Sequence, residues 1–395
     1  MKRYKFTLLT HAKFHYFEVA KSLIKKNQLI KLVSGYPKFK IKKLGIPYHL
    51  IDFFGLYTII NYLLRNIDIN FVQSIRIFFQ KLNARKISQK SKKYIKNSDV
   101  ILGLSGTFIN SIKELKKYKK IIICERSSSH ILFQKKIIEE EYTRYNLLKT
   151  RDRILKYEFA SWKIDNELIE YSYADHILTP SKFVTDTFKE YGINSIIEIP
   201  FGANTNDFFR DSSIKKNENE FHILFVGQIT LRKGLQYLIN AFNQFKHPNA
   251  YLHIVGGDTY GDINFMKKLS ASNKKIVFHG IKKGKDLLYF YNVADIYVLP
   301  SIEEGFAITQ LEALSCGCPI LISENTGAKE TVIENNCGMV FPIRDSNQIL
   351  KKLEILANDK NLLKNYSDNA LKLTTHKTWD TYTDILNQKL NKIYE

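Results

Sequence analysis

The segment PSIEEGFAITQLEALSCGCP, residues 300–319, places acidic residues where a buried strand ends. The strand before it, NVADIYVL at 292–299, is mostly apolar. Pro300 donates no ladder hydrogen bond and so ends that strand, and Gly305 lets the backbone turn or approach a ligand closely. Glu304 then projects from a loop at the strand's carboxyl end, and Glu312 follows eight residues later on a helix. Two ionised carboxylates at the mouth of a sheet accept hydrogen bonds from sugar hydroxyls, or serve as an acid and a base. The plainer alternative is an acidic loop at Glu303 and Glu304 with a local cap or salt bridge at Glu312.

A second cluster, GQITLRKG at 227–234, has a strand ending at Gly227 and Gln228, then Arg232 and Lys233 just before a helix. Backbone N–H groups and the positive helix end face such a loop, and the two side chains add charge, so the pattern predicts a phosphate or pyrophosphate site. It lacks the GxxxxGK[ST] of a Walker loop, and no GxGxxG stands in the chain, which speaks against ATP hydrolysis and the common dinucleotide fingerprint. A third cluster, CERSSSH at 124–130, follows an apolar strand. There His130 is expected either to face the crevice and donate to a substrate oxygen or to act as a cap. His11, Lys13 and His15 occupy the loop after the first strand, again at a binding edge. No HExxH pair and no carboxylate cluster has metal-binding spacing, so no metal is expected.

These loops need a frame that aligns strand ends. Short apolar strands alternate with amphipathic helices: YKFTLLT, LIKLVSG, DVILGLS and KIIICE in the first half, then FHILFVGQ, AYLHIVGG, KIVFHG, DIYVLPS and CPILISE in the second. That alternation argues for βαβ units around parallel sheets, with ligands at the carboxyl ends of the strands. A polar stretch rich in Asn, Gly and Pro at 199–220 marks a domain boundary. The expected division is residues 1–200, 201–365, and a helical end at 366–395 that packs back on the first domain, with Trp379 as its apolar anchor.

A chain of 395 residues exceeds one ordinary core, which fits two domains. Four cysteines form no disulfide framework, and a reducing, cytoplasmic setting is expected. The apolar stretch at 50–64 is too short to span a bilayer and contains Asp52 and Asn61. Residues 1–120 hold 26 Lys and Arg against 5 Asp and Glu, so the whole net charge of +21 lies in the first third. Such asymmetry suits an anionic surface, a membrane included, although codon bias toward lysine would also produce it. With no zinc knuckle, RNP-like strand or recognition helix, no specific nucleic-acid partner is expected.

The motifs PSIEEGFAITQLEALSCGCPI, GQITLRKG, FGANTNDFF and YNVADIYVLPS, in their order along the chain, resemble the retaining glycosyltransferases of family 4, which have the two-domain GT-B fold. The resemblance implies two Rossmann-like parallel-sheet domains facing a central crevice and a nucleotide-diphosphate-sugar donor held chiefly by the second. It implies no cofactor. Glu312 matches the glutamate on the ribose, Glu304 the one near the donor sugar, and Lys233 the lysine on the diphosphate. Gln228 replaces the family's usual arginine, a charge that Arg232 is expected to supply. His130 matches the first-domain histidine beside the donor sugar. Gly227, Gln228, Gly305, Phe306, Ala307 and Ile308 line the donor site in the same reading. The implied reaction moves a hexose-type sugar, with retention, to a saccharide or lipid-linked acceptor on the basic first domain. The alternatives are a retaining phosphorylase or phosphosugar synthase of similar fold, and a non-catalytic sugar-nucleotide or nucleic-acid binder.

Overall fold

A computed structural model describes residues 2–395 apart from 13, 38–39, 42–43, 56–58, 61–62, 64–69 and 110, and only the backbone of 70–73. Lys13 and part of the apolar 50–64 stretch thus lie outside the described residues. The first sheet contains β1 (Phe6–Thr10), β2 (Leu29–Ser34), β3 (Ile51–Phe53), β4 (Val100–Leu104), β5 (Ile121–Glu125), β6 (His176–Thr179) and β7 (Ile196–Glu198). The second contains β8 (Phe221–Val226), β9 (Ala250–Val255), β10 (Ile276–Gly280), β11 (Ile296–Leu299), β12 (Ile320–Ser323) and β13 (Gly338–Phe341). Their spatial orders are β3-β2-β1-β4-β5-β6-β7 and β10-β9-β8-β11-β12-β13. Every pairing is parallel.

Parallel strands need crossovers that cover both faces of the sheet, so the central strands are apolar throughout and buried along their length. In both sheets the order reverses between the first strand and its fourth-strand neighbour, at β1/β4 and β8/β11. There the crossover helices diverge to opposite faces and leave a crevice at the strand ends. The two charged loops of the second sheet follow β8 and β11, while the CERSSSH loop follows β5 and the first-strand loop follows β1 of the first sheet, all at carboxyl ends of strands. Two strands escape the sequence pattern, β3 and β7, because three residues at a sheet edge give too short a run to show a period.

The carboxyl-terminal region reads as nearly continuous helix but is divided into Ser346–Asn358, Lys360–His376 and Trp379–Tyr394. Asp359 accepts from the N–H of Leu362, and Thr378 accepts from that of Thr381, so each break carries its own N-cap. The last helix lies on the first domain against the Tyr16–Lys25 helix, joined by a buried Ser22–Thr383 hydrogen bond of 2.7 Å. Trp379 is 8% exposed and stacks on His15, with centroids 5.6 Å apart and 12° between planes. Beside it the chain passes outward between domains: the Ala203 N–H donates to Lys377 O at 2.6 Å. A Cβ on Gly202 would lie 2.5 Å from the Trp379 nitrogen, so only glycine admits this approach.

Trp379→Ala should therefore destabilise the protein by about 3–5 kcal/mol, the usual cost of emptying a buried aromatic site. Denaturant unfolding followed by circular dichroism measures it, and a loss below about 1 kcal/mol would mean the helix is not anchored there.

Candidate active site

The two charged loops of the second domain follow β8 and β11, neighbours across its switch point. Backbone contacts hold them together. The N–H of Ile302 donates to the carbonyl of Arg232 at 2.9 Å. Gly234, at φ +69°, is pressed so close to Pro300 that a Cβ would lie 1.8 Å from the proline carbonyl oxygen. A side chain there would meet both a clash and a left-handed backbone, so glycine is required for the contact.

Lys233 and Glu304 consequently meet, the ammonium donating to Oε2 of the carboxylate. Arg232 Nη1 stands 3.4 Å from the same oxygen and 3.2 Å from Oε2 of Glu303, and it also donates to the Glu303 carbonyl at 3.0 Å. Burial holds the Lys233 ammonium below its ordinary pKa despite the nearby carboxylate. The site is thus a desolvated cluster of two cations and two carboxylates.

Glu303 carries the contact between domains. Its side chain is wholly buried, and from the first domain it accepts the Ser129 N–H at 2.9 Å, the Ser129 hydroxyl at 2.8 Å and the Gln134 amide at 2.9 Å. Burial pushes its carboxyl pKa up, but Arg232 and these donors outweigh burial and hold it below the ordinary value. Gly305 continues the docking: its carbonyl accepts from Ser181 Oγ at 2.9 Å, and a Cβ would lie 2.0 Å from the Ser127 carbonyl oxygen. A second bridge starts from the buried Glu141 of the Ile131–Arg144 helix, which accepts from Gln236 at 2.9 Å, Tyr237 at 2.6 Å and Arg344 at 2.6 Å. Neither Glu303 nor Glu141 has a sequence signal that separates it from an ordinary surface acid. Only the partners brought by the other domain distinguish them.

Glu312 lies on the Ile308–Ser315 helix and accepts from the Tyr291 hydroxyl at 2.8 Å. Burial raises its pKa to about 7. The Tyr297 hydroxyl is 2.8 Å from Thr309 Oγ1 and donates to Val226 O at 3.3 Å. Its phenol is pushed up by burial and by the charges of Glu304 and Glu312.

Gln228 is exposed and lines a cavity of about 200 Å³ with Arg232, Thr230 and Tyr260. Gly227 is held in the sheet, its N–H donating to Val255 O at 3.0 Å. Ala307 caps the Ile308–Ser315 helix, while Phe306 is buried against Phe201 with centroids 5.5 Å apart. His130 is not brought to this cluster. It is 1% exposed, its Nδ1 accepts from the N–H of Leu132, and its ring stacks 4.1 Å from Tyr191. Its neighbour Ser129 makes the contact instead. Among the described residues no group of three or more His, Cys, Asp or Glu is placed to hold a metal ion. Another cavity, of about 780 Å³, is lined by Asp295 and Pro319 at the opposite strand ends.

Residues 207–373 match the family described as glycosyl transferases group 1. An uncharacterized glycosyltransferase of Methanocaldococcus jannaschii is 36% identical over 133 residues, 33% of this chain and 34% of that protein. The capsular polysaccharide biosynthesis glycosyltransferase CapM of Staphylococcus aureus is 29% identical over 198 residues, 47% of this chain and 52% of CapM. The chain thus spans about a third to a half of the length of these relatives. Among solved structures, Anabaena HepE in complex with UDP and glucose superposes with a TM-score of 0.69 at 15% identity, covering 98% of this chain and 100% of that one. The fold is GT-B, two Rossmann-like parallel-sheet domains of seven and six strands.

Replacing Glu303 by Ala should cost about 3–5 kcal/mol, because the half-buried Arg232 keeps its charge and loses a partner while the Ser129 and Gln134 donors are left unpaired. The sign with pH follows from the depressed carboxyl: its stabilisation is full above the ordinary value of 4.5 and is lost as pH falls below it. Melting curves of wild type and variant should therefore differ most above pH 4.5 and converge in acid.

Proposed function

We propose that this protein is a retaining glycosyltransferase of family 4 type, moving a sugar from a nucleotide-diphosphate-sugar to a saccharide or lipid-linked acceptor. The observation that carries the reading is the backbone lock between the loops after β8 and β11, with Lys233 and Arg232 packed against Glu304 at the switch point. Anions bind where cations and helix-start N–H groups converge, and the donor's diphosphate is such an anion. The HepE complex, which holds UDP and glucose in the same fold, supports a nucleotide-sugar donor.

In this reading the donor diphosphate takes Lys233 from Glu304, and Glu304 turns to the hydroxyls of the sugar. Arg232 supplies charge beside Gln228. Glu312, close to half ionised near neutrality, accepts from the ribose hydroxyls, which favour its ionised form. In the transfer, the bond from the anomeric carbon to the diphosphate oxygen breaks as the acceptor oxygen bonds to the same carbon from the same face. The acceptor proton passes to the departing diphosphate. Lys233 and Arg232 stabilise the charge that develops there, as fixed donors do at an oxyanion. No metal ion enters this scheme.

Glu304→Gln should lower the transfer rate about 100-fold through loss of sugar positioning. It should leave the melting-temperature rise on adding UDP-, GDP- or dTDP-sugars largely intact, since ligand bound only to the folded state raises stability. Full activity in this variant would remove Glu304 from the mechanism.

The acceptor side bears the excess charge, and Ile59, Leu63 and Phe78 are exposed there at 46%, 68% and 61%. Apolar residues among lysines and arginines suit peripheral attachment to an anionic bilayer. No helix among the described residues is long and apolar enough to cross one. The protein should sediment with anionic liposomes at low salt and leave them as salt screens the charge; no sedimentation at low salt would end this part of the reading.

A further inference from the structure

The three carboxylates that follow β11 are held in different ways. Glu303 takes three hydrogen bonds and an ion pair, and Glu304 meets both Lys233 and Arg232. Glu312 has far less. Among the described residues its side chain has no ion-pair partner and accepts one hydrogen bond, from the Tyr291 hydroxyl to Oε2 at 2.8 Å. Oε1 is left without a donor.

That single donor is fixed by its own packing. Tyr291 lies on the Lys285–Val293 helix that leads into β11, and it is fully buried. Phe208, from the segment that joins the domains, meets its ring edge-on at 5.6 Å, and the ring of Tyr297 on β11 lies at 6.2 Å. A ring packed on two sides keeps its hydroxyl in one place. Burial, reinforced by the Glu312 charge, holds the phenol far above its usual range, so it remains a donor near neutrality.

The other groups around Glu312 do not help its ionised form. Burial raises its pKa to about 7, the Tyr291 bond opposes that rise, and the charge of Asp207 adds to it. Cys316 on the same helix is neutral, its thiol pushed up to about 12 by burial and then by Glu312. The Tyr297 phenol is also kept protonated by burial.

We propose that Tyr291 is a positioning residue for the donor: its hydroxyl holds Glu312 as a carboxylate and leaves Oε1 to accept from the hydroxyls of a nucleotide sugar. Its use by a donor rests on the glycosyltransferase reading above. A neutral acid accepts a hydrogen bond more weakly than a carboxylate does. Donor affinity should therefore rise as pH passes upward through about 7, and deleting the hydroxyl should move that rise to higher pH.

Tyr291→Phe keeps the ring and removes the donor. The test is calorimetric binding of UDP-, GDP- and dTDP-sugars to the full chain from about pH 5.5 to about pH 8.5, a range in which their diphosphates keep one charge and only groups such as Glu312 change theirs. For at least one of these sugars the wild-type affinity should rise across the range. In Tyr291→Phe the rise should lie about one pH unit higher, so that affinity falls about fivefold at pH 7 and approaches wild type at the alkaline end. Lys233 is present in both proteins, so their difference reports Glu312. Glu312→Gln has no acid to titrate: it should lose the rise, and adding Tyr291→Phe to it should change affinity by less than about twofold. A wild type that binds no nucleotide sugar at any pH overturns the transferase reading and this role of Tyr291 with it. Four results overturn the role of Tyr291 alone: wild-type affinity that does not vary with pH, affinity unchanged in Tyr291→Phe, affinity lowered there by one factor at every pH, or an equal loss in the Glu312→Gln background. In the last two cases the tyrosine serves packing only.

Discussion

One buried carboxylate ties both halves of this molecule to the charged cluster between them. Glu303 takes three hydrogen bonds from Ser129 and Gln134 of the first domain and an ion pair from Arg232 of the second. A charge removed from water survives only if its lone pairs are filled, so its donors must arrive from both sides together. The same contact fixes Arg232, and through it the geometry of Lys233 and Glu304. Glu303 thus couples domain position to site electrostatics.

The rest of the frame follows from the two switch points. In each sheet the crossovers part between the first strand and its later neighbour, and each crevice receives a different surface. The second is charged, with cations and carboxylates interleaved; the first is lined by amides, aromatic rings and already paired ions. The two spaces adjoin along the domain gap, sharing Gln134, Glu158 and Phe159. The net charge of +21 is a poor guide to these surfaces. Arg126, Lys163, Arg232 and Lys233, which line or adjoin these crevices, each have an acidic neighbour.

Stability is shared with the chain's end. The last helix returns to the first domain, and Trp379 closes over His15 and Phe201 beside the segment that leads out to the second sheet. The two crossing points between domains lie side by side there, paired through Ala203 and Lys377. On the other side of the gap, Glu141 and the Tyr142–Asp262 hydrogen bond tie the Ile131–Arg144 helix to the second domain. The charged cluster lies in the gap these contacts span.

The order of strands and helices, the parallel sheets, the loops bearing Lys233 and Glu304 and the helix bearing Glu312 were legible from residue pattern, because periodicity and chain breakers act locally and leave their mark on neighbouring residues. The edge strands β3 and β7 were not, being too short to repeat. Nor was the part played by Glu303, which in sequence is merely the acid beside Glu304. Ser129 and Gln134, 174 and 169 residues away, make it a bridge. For His130 the sequence left two readings open, a crevice residue or a cap, and the fold makes it the N-cap of the Ile131–Arg144 helix. The buried Oδ1 of Asn83 and Nε1 of Trp162, unpaired among the described residues, had no sequence signal at all. A hydrogen bond's worth depends on what surrounds it, and only the packed chain determines which polar groups are matched and which are left facing an empty space.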